Sequence, residues 1–120
     1  MRTEYIILLH DNERAWLDAT PSQRAETFAR HDEFTRRCGE DGHKITGGAE
    51  LQPSGTARIV RGGSVGITDG PYTETAEQLG GFYLVETDNL ESLAHLVSEL
   101  LADTTGPAEI RATIPPSEGS

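Results

Sequence analysis

The sequence contains one cysteine, Cys38, and few aromatic side chains. A single thiol excludes an internal disulfide, and there is no CxxC pair of the kind that holds zinc. Aromatic residues make up 6% of the chain and apolar residues as a whole 35%. With 120 residues the chain is long enough for one domain, but too lean for both a thick core and a large internal cavity within one protomer. A core shared between two protomers would relieve this shortage.

Basic residues are also scarce. The chain has 10 Lys and Arg against 20 Asp and Glu, a formal net charge of −10. This argues against nucleic acid and anionic membrane surfaces as partners, because both need clustered cations. The longest apolar run, Tyr5–Leu9, is too short for a membrane span or a signal peptide, so a cytoplasmic protein is expected. No residue spacing matches a metal site or a nucleotide signature, so we expect no metal and no cofactor.

The apolar pattern predicts alternating strands and helices. Tyr5–Leu9 is a continuous apolar strand, and Trp16 anchors a helical turn in the connector after it. Thr20 begins the first long helix, with a proline next and a glutamine completing a capping box; this helix is expected to reach about Gly39. Asp88 and Glu91 indicate a second capping box before the last helix. The other predicted strands are 43–51, broken by a glycine pair, a hairpin over 56–68 turning at Gly62–Gly63, 82–87 and 109–114.

This order of elements predicts an α+β fold, a ferredoxin-like sandwich with an inserted hairpin. The last strand is expected to turn Ile110, Ala112 and Ile114 inward. Residues 1–114 are expected to form a single domain, and residues 115–120 a disordered tail.

His31 is the first candidate for chemistry. At 100° per residue it shares one stripe of the first long helix with Phe28, Thr35 and Cys38, on the face expected to meet the sheet. A histidine there is either a satisfied half-buried residue or a general base whose pKa is set by burial. His95 falls on the solvent face of the last helix and His43 opens a strand, so both are predicted to be bystanders. His10 follows the first strand, and strand ends commonly line pockets.

The segment TDGPYTETAEQLGGFYLVE, from Thr68 to Glu86, places several carboxylates directly before a core strand. Its Asp-Gly-Pro start is typical of a turn in which the Asp69 carboxylate accepts hydrogen bonds from the backbone amides ahead of it. Carboxylates close to a core need partners or their pKa values rise, and such groups serve acid–base chemistry. The segment is therefore either a structural turn or part of a site.

This segment closely resembles the signature of the DGPF branch of the YCII-related family, which usually reads DGPF-x-E-T-K-E-Q-L-G-G-F. The opening YIILLH, the stretch GGAELQP and the ending EIR also match, so the resemblance covers nearly the whole chain. Tyr72 replaces the usual phenylalanine and keeps the ring, whereas Ala76 stands where lysine is usual. The matching residues are Asp69, Gly70, Pro71, Glu74, Thr75, Glu77, Gln78, Leu79, Gly80, Gly81 and Phe82.

The resemblance implies a homodimer in which two ferredoxin-like sheets pack face to face as a dimeric α/β barrel. It also implies a His–Asp pair in a cleft, acting on a small organic molecule without a cofactor. His31 fits the histidine, and either Asp103 or Asp69 fits the aspartate; such a partner would hold the pKa of His31 near or above 6.5. The residues expected to contact substrate are Tyr72, Glu74, Gln78, Arg111 and His10.

Two functions are consistent with this pattern. The first is an acid–base enzyme of lyase or isomerase type, in which His31 moves a proton and an aspartate orients its ring. The second is a non-catalytic module that uses the same pocket to bind a small ligand or to serve regulation. The resemblance implies the regulatory role, because many members of the branch look like neighbours of alternative sigma factors. The fold alone does not decide between them.

Overall fold

The computed structural model describes residues 2–63 and 66–116 of the chain. Within these residues a short 3-10 turn, Ser54–Thr56, follows the second strand. The strands and α-helices, in chain order, are β1 (Thr3–Asn12), α1 (Glu13–Leu17), α2 (Pro21–Glu40), β2 (Lys44–Glu50), β3 (Arg58–Arg61), β4 (Gly66–Asp69), β5 (Glu77–Thr87), α3 (Leu90–Leu100) and β6 (Ala108–Ala112).

Four strands form the main sheet in the order β2-β5-β1-β6, and every neighbouring pair is antiparallel. Numbered as the first to fourth strands of that sheet, their spatial order is 4-1-3-2, with α2 and α3 as the two crossovers. This is the ferredoxin-like α+β fold predicted from the sequence. Across the described residues the sheet ends at β2 and β6 as two edges and does not close on itself.

The core lies between the sheet and the two long helices. Ile7 and Val85 are fully buried. They lie on the same face of the sheet, since successive strand residues point to opposite faces. The helices bury an apolar set against them, comprising Phe34 and Cys38 of α2 and Leu93, Leu96, Val97 and Leu100 of α3. The molecule measures 47 × 45 × 17 Å. A thickness of 17 Å accommodates one layer of helices on one sheet, since packed layers lie about 10 Å apart.

The start of α2 confirms the sequence signals. The Thr20 hydroxyl accepts from the Gln23 amide (3.1 Å), and the Gln23 side chain accepts from the Thr20 amide (2.9 Å). Pro21 occupies the first helical position, where its missing N–H leaves no donor unpaired. These bonds satisfy two amides that have no partner within the helix, so the chain enters α2 at a fixed point.

The start of α3 differs from the prediction. Its N-cap is Asn89, whose side-chain oxygen accepts from the Ser92 amide at 3.1 Å. Asp88 lies outside the helix because β5 continues to Thr87, and the Thr87 hydroxyl accepts from the Asn89 amide at 3.0 Å. The strand end therefore fixes which residue caps the helix.

The apolar stripe of α2 was also predicted one step away from its true position. The buried residues are Phe34 and Cys38, whereas Phe28 is 50% exposed and Thr35 is exposed. Phe28 packs instead edge-on against Trp16 of α1, with ring centres 5.8 Å apart. Phe28 therefore contacts the short helix α1 and not the sheet.

Two strand predictions need correction. β5 begins at Glu77 rather than at Phe82, because residues 77–79 continue the ladder with the end of β1 beyond a bulge between Leu9 and His10. β6 ends at Ala112, two residues before the predicted end of the strand. Ala112 is exposed, and Ile114, beyond the strand, is 69% exposed. Only Ile110 of the predicted inward set packs against the core.

The predicted hairpin is formed by β3 and β4, a separate two-stranded sheet. Gly62 and Gly63 lie in its turn as predicted; Ser64 and Val65 lie outside the described residues. In the tail predicted to be disordered, residues 117–120 likewise lie outside them. No helix in the described part of the chain is both long and apolar enough to cross a membrane.

Candidate functional site

A cavity of about 820 Å³ opens beside α1 and the first half of α2. Its lining comes from the ends of β1 and β2, from the middle of β5 and from the chain after α3. The residues with chemistry to offer are His10, Asp11, Glu13, Arg24, Arg30, His31, Glu50, Gln78 and Tyr83, and the apolar walls include Leu9, Trp16, Phe28 and Leu101.

Two glycines leave space in the cavity. Gly48 lies opposite Tyr83, and Gly81 lies opposite Glu50, so all four residues face the same side of the sheet. A Cβ on Gly48 would lie 2.6 Å from the Phe82 carbonyl oxygen, and one on Gly81 would lie 2.9 Å from that of Ala49. The strands β2 and β5 therefore approach closely, and no side chain at these two positions fills the space beside Tyr83 and Glu50.

His31 and Tyr83 form the polar centre of the cavity. The Nδ1 atom of His31 lies 2.7 Å from the Tyr83 hydroxyl, a hydrogen bond between α2 and β5. Phe34 also packs against the tyrosine ring, with 5.2 Å between the ring centres. The Nε2 atom of His31 has no hydrogen-bond partner among the residues that the structure describes. The hydrogen bond to the tyrosine thus occupies one of the two ring nitrogens.

Burial lowers the pKa of His31 below its usual 6.5. Glu50 opposes this shift, Arg30 adds to it, and Asp32 opposes it more weakly. The upward shift expected from an aspartate partner is therefore wrong in direction, because removal from water favours the uncharged ring. Burial also raises the pKa of Tyr83, although a hydrogen bond from Thr35 acts in the other direction. At neutral pH the pair consists of a neutral imidazole and a protonated phenol.

The two aspartates predicted to orient His31 have arginine partners instead. Asp103, 71% exposed at its side chain, accepts from Arg30 at 2.6 Å. Asp69, 82% exposed, pairs with Arg58 of the hairpin and not with the backbone amides ahead of it. Within residues 2–63 and 66–116 neither carboxylate is hydrogen-bonded to His31. The carboxylate that reaches the cavity near His31 is Glu50.

The predicted substrate contacts divide into two groups. Gln78 and His10 line the cavity. The Gln78 side-chain amide donates to the carbonyls of Thr73 (2.9 Å) and Thr75 (2.8 Å), and these two hydrogen bonds hold the loop against the start of β5. The other three, Tyr72, Glu74 and Arg111, are exposed and do not line the cavity. Arg111 pairs with Glu109 on β6.

Several cavity residues were missed at the sequence level. Alternation along β5 places Tyr83 on the same face as the buried Val85, a signal strong enough to have found it. Arg24 lies seven residues before His31 and so shares its helix face. Glu50 could not be placed, because the register shift between Ile45 and Gly47 decides which way its side chain points. No three metal-binding side chains cluster within the described ranges.

Comparison with known proteins agrees with this architecture. The model of the YCII-related domain matches residues 3–115. The chain belongs to the YCII-related family. It is also 29% identical over 111 residues to an uncharacterised protein of Rhizobium meliloti (strain 1021), an alignment that covers 89% of each chain.

For this YCII-related protein we expect the charge of Glu50, and not that of Asp103, to act on His31. Glu50→Gln removes a nearby negative charge that favours the imidazolium, so the pKa of His31 should fall further. Asp103→Asn should change it less, since Arg30 already occupies that carboxylate. NMR titration of the four histidines in each variant measures both shifts. A larger shift in Asp103→Asn than in Glu50→Gln would restore the predicted His–Asp pair.

Proposed function

We propose that this protein is a cofactor-free acid–base enzyme of lyase or isomerase type, acting on a small organic molecule in the cavity. The observation that carries this proposal is the His31–Tyr83 hydrogen bond on the cavity wall. Burial keeps the imidazole neutral at pH 7, which is the state a general base needs. The loop residues from Asp69 to Phe82 support assignment to the DGPF branch as part of the same proposal.

In the reaction, His31 takes a proton from a carbon next to a carbonyl group. The electron pair of the broken C–H bond moves toward the carbonyl oxygen, and the proton rests on Nε2. The imidazolium then returns the proton to a second carbon, which gives an isomer. Alternatively, a leaving group departs from the neighbouring carbon with its bonding electrons, and the imidazolium gives its proton to that group or to water, which gives an elimination product. Neither route needs an oxidant or a reductant.

This scheme requires one tautomer of His31, the one that donates to Tyr83. With the proton of His31 on Nδ1 and donated to the phenol oxygen, Nε2 carries the lone pair that accepts the substrate proton. Burial keeps the phenol protonated, so it can orient the ring without taking up its charge. Glu50 favours the imidazolium formed during the step, because its negative charge raises the pKa of His31. It thereby takes the stabilising part first assigned to an aspartate.

Proton exchange tests the function before the substrate is known. The protein is incubated in D₂O with enolisable ketones, keto acids and lactones, and ¹H NMR follows loss of the proton next to the carbonyl group. Exchange at least tenfold above the buffer rate for one compound class supports the proposal. If no compound exchanges faster than in buffer while some bind, the protein is a small-ligand-binding or regulatory module instead. The arginine partners of Asp103 and Asp69 favour this second candidate, since they leave His31 without the expected carboxylate.

We further propose that two copies pack face to face through the uncovered side of the main sheet. Its central strands carry two cross-strand pairs there, Ile6 with Leu84 and Leu8 with Phe82, all half-buried. The helices cover only the opposite face, and the thickness of 17 Å leaves no second layer over these residues. A second copy would supply the layer that the lean composition lacks. Two sheets of this size bury on the order of 1,600 Å² or more, enough for a stable dimer.

Leu84→Asp is expected to break this dimer, because it places an unpaired charge in the centre of the apolar face. Light scattering of the native protein at micromolar concentration should give twice the chain mass of 13.0 kDa, and the variant should give the chain mass. Leu90→Asp is the matched control, since Leu90 is 41% exposed at the start of α3, away from the sheet. A native protein that scatters as a single chain would contradict the proposal.

A further inference from the structure

Arg24 lies in the first turns of α2 and lines the cavity. Its Nη2 atom donates to the carbonyls of Trp16 (3.0 Å) and Leu17 (3.3 Å) at the end of α1. The guanidinium carbon lies 4.9 Å from the centre of the Trp16 ring, so the cation stacks on the indole. These contacts hold the side chain in one place while Nη1 has no partner among the described residues.

The charge of Arg24 is unusual within this acidic protein. Six other arginines pair with carboxylates in the structure: Arg14, Arg30, Arg36, Arg37, Arg58 and Arg111. Three further cations without such a pair in the described ranges, Arg2, Lys44 and Arg61, are exposed to water. Arg24 is half-buried, has no carboxylate partner there, and has a buried Nε that is not hydrogen-bonded. A cation held this way lacks the counter-ion that normally offsets its desolvation.

A structural role explains only part of this arrangement. The Trp16 carbonyl already accepts from the Ala19 amide at 3.2 Å, so a further donor is needed mainly at Leu17, and a neutral glutamine amide would provide it. The carboxylates of Asp11 and Glu13 also line the cavity, yet both accept from uncharged groups. Asp11 binds Thr105, and Glu13 binds Ser54 at 2.6–2.7 Å. The chain thus leaves the guanidinium charge uncompensated although carboxylates lie along the same cavity.

We propose that Arg24 binds the carboxylate of the substrate, whose reacting carbon lies at His31. This inference rests on the proposed function, because it uses His31 as the reacting end. Arg24 and His31 are seven residues apart on α2, two turns and about 10 Å along the helix. The walls near Arg24 include Trp16 and Phe28, and Glu50 near His31 would repel an anion from that end. The substrate class is an organic acid with an apolar, ring-sized segment between its carboxylate and its reacting carbon.

Binding of a matched pair of probes tests the proposal without any turnover. The probes are 3-phenylpropanoate and 3-phenylpropanol, which share the ring and chain and differ in charge. Calorimetry should show the acid binding to the native protein at least tenfold more tightly than the alcohol, because hydrogen bonds to charged groups are the stronger kind. Fluorescence of Trp16, the one tryptophan of the sequence, should change when the acid binds, which locates it in this cavity.

Variants separate a specific contact from the effect of overall charge. Arg24→Gln should weaken binding of the acid about tenfold or more and leave that of the alcohol unchanged, whereas Arg24→Lys should give an intermediate loss. Arg14→Gln removes the same charge from an exposed residue of α1 and should change neither. Equal affinity of the native protein for acid and alcohol would overturn the proposal, as would equal losses in Arg24→Gln and Arg14→Gln. If carbonyl compounds exchange without any preference for acids, the role of Arg24 is contradicted and the proposed function is not. If acids bind selectively but nothing exchanges, the proposed function is contradicted and carboxylate binding by Arg24 is not.

Discussion

Replacing His31 with asparagine should lower the rate of proton exchange by about 10²–10⁴-fold, the usual contribution of a positioned general base. Asparagine has a similar size and can still hydrogen bond with Tyr83 across the 2.7 Å contact, but it cannot accept a proton at neutral pH. The melting temperature should change by only a few degrees, because the half-buried ring contributes little to the apolar core. Exchange rates by NMR and thermal unfolding by circular dichroism measure the two effects separately.

The pH dependence gives the same residue a second signature. Because the native pKa of His31 is lowered from 6.5, the ring is neutral at pH 7, and exchange should be constant above pH 7. As the pH falls through the native pKa, the base is protonated and the rate of exchange should drop. The free energy of unfolding should also fall, from about 6.5, where the unfolded ring takes up a proton, down through the native pKa. His95→Asn is the control, since the His95 side chain is 69% exposed on α3 and pairs with Glu99. A His31→Asn variant that exchanges as fast as the His95→Asn variant would remove His31 from the mechanism.

Gly106→Ala should destabilise the fold by about 3 kcal/mol, the upper range for overpacking a well-packed site. A Cβ at this position would overlap the carbonyl group of His10 and lie 2.7 Å from the Cα of Asp11. Both are backbone atoms of β1, so the clash cannot be relieved by turning a side chain. The neighbouring Pro107 carbonyl accepts from the His10 amide at 3.0 Å, and this bond would be strained as well. A fall in melting temperature of roughly 10 °C or more follows from such a loss.

The same change should also disturb the cavity. Thr104 lines it, and Thr105 holds Asp11 through its amide (3.3 Å) and hydroxyl (3.0 Å). Gly39→Ala is the matched control, because it meets nothing within 4 Å near the end of α2. It should stabilise the protein by up to about 1 kcal/mol, since alanine is the better helix former. Chemical denaturation of the two variants should therefore shift in opposite directions, and a Gly106→Ala variant as stable as the native protein would show that the loop can move away from β1.

Local signals in the sequence determined much of the fold. The Thr20–Gln23 capping box, the alternation in the hairpin and the two long helices each depend on residues within a few turns or one strand pair. Such signals act over a few residues, so they can be recognised without knowing where the rest of the chain lies. Family membership followed from the Asp69–Phe82 segment for the same reason, because a motif is a run of neighbouring residues. His31 was found because one residue in a helical pattern indicates which face it occupies.

What only the tertiary structure decided is which side chains meet. Tyr83 reaches His31 across 52 positions of sequence, and Arg30 rather than His31 takes Asp103. Each of these pairs depends on the rotation of α2 about its axis and on strand register. The rotation predicted from the sequence was wrong by one helical step. A rotation of 100° or a shift of one residue in a strand exchanges every partner, because side-chain direction repeats every 3.6 residues in a helix and every two in a strand. The sequence therefore determined the elements and indicated the helix face of His31, while packing between distant segments decided which residues contact it.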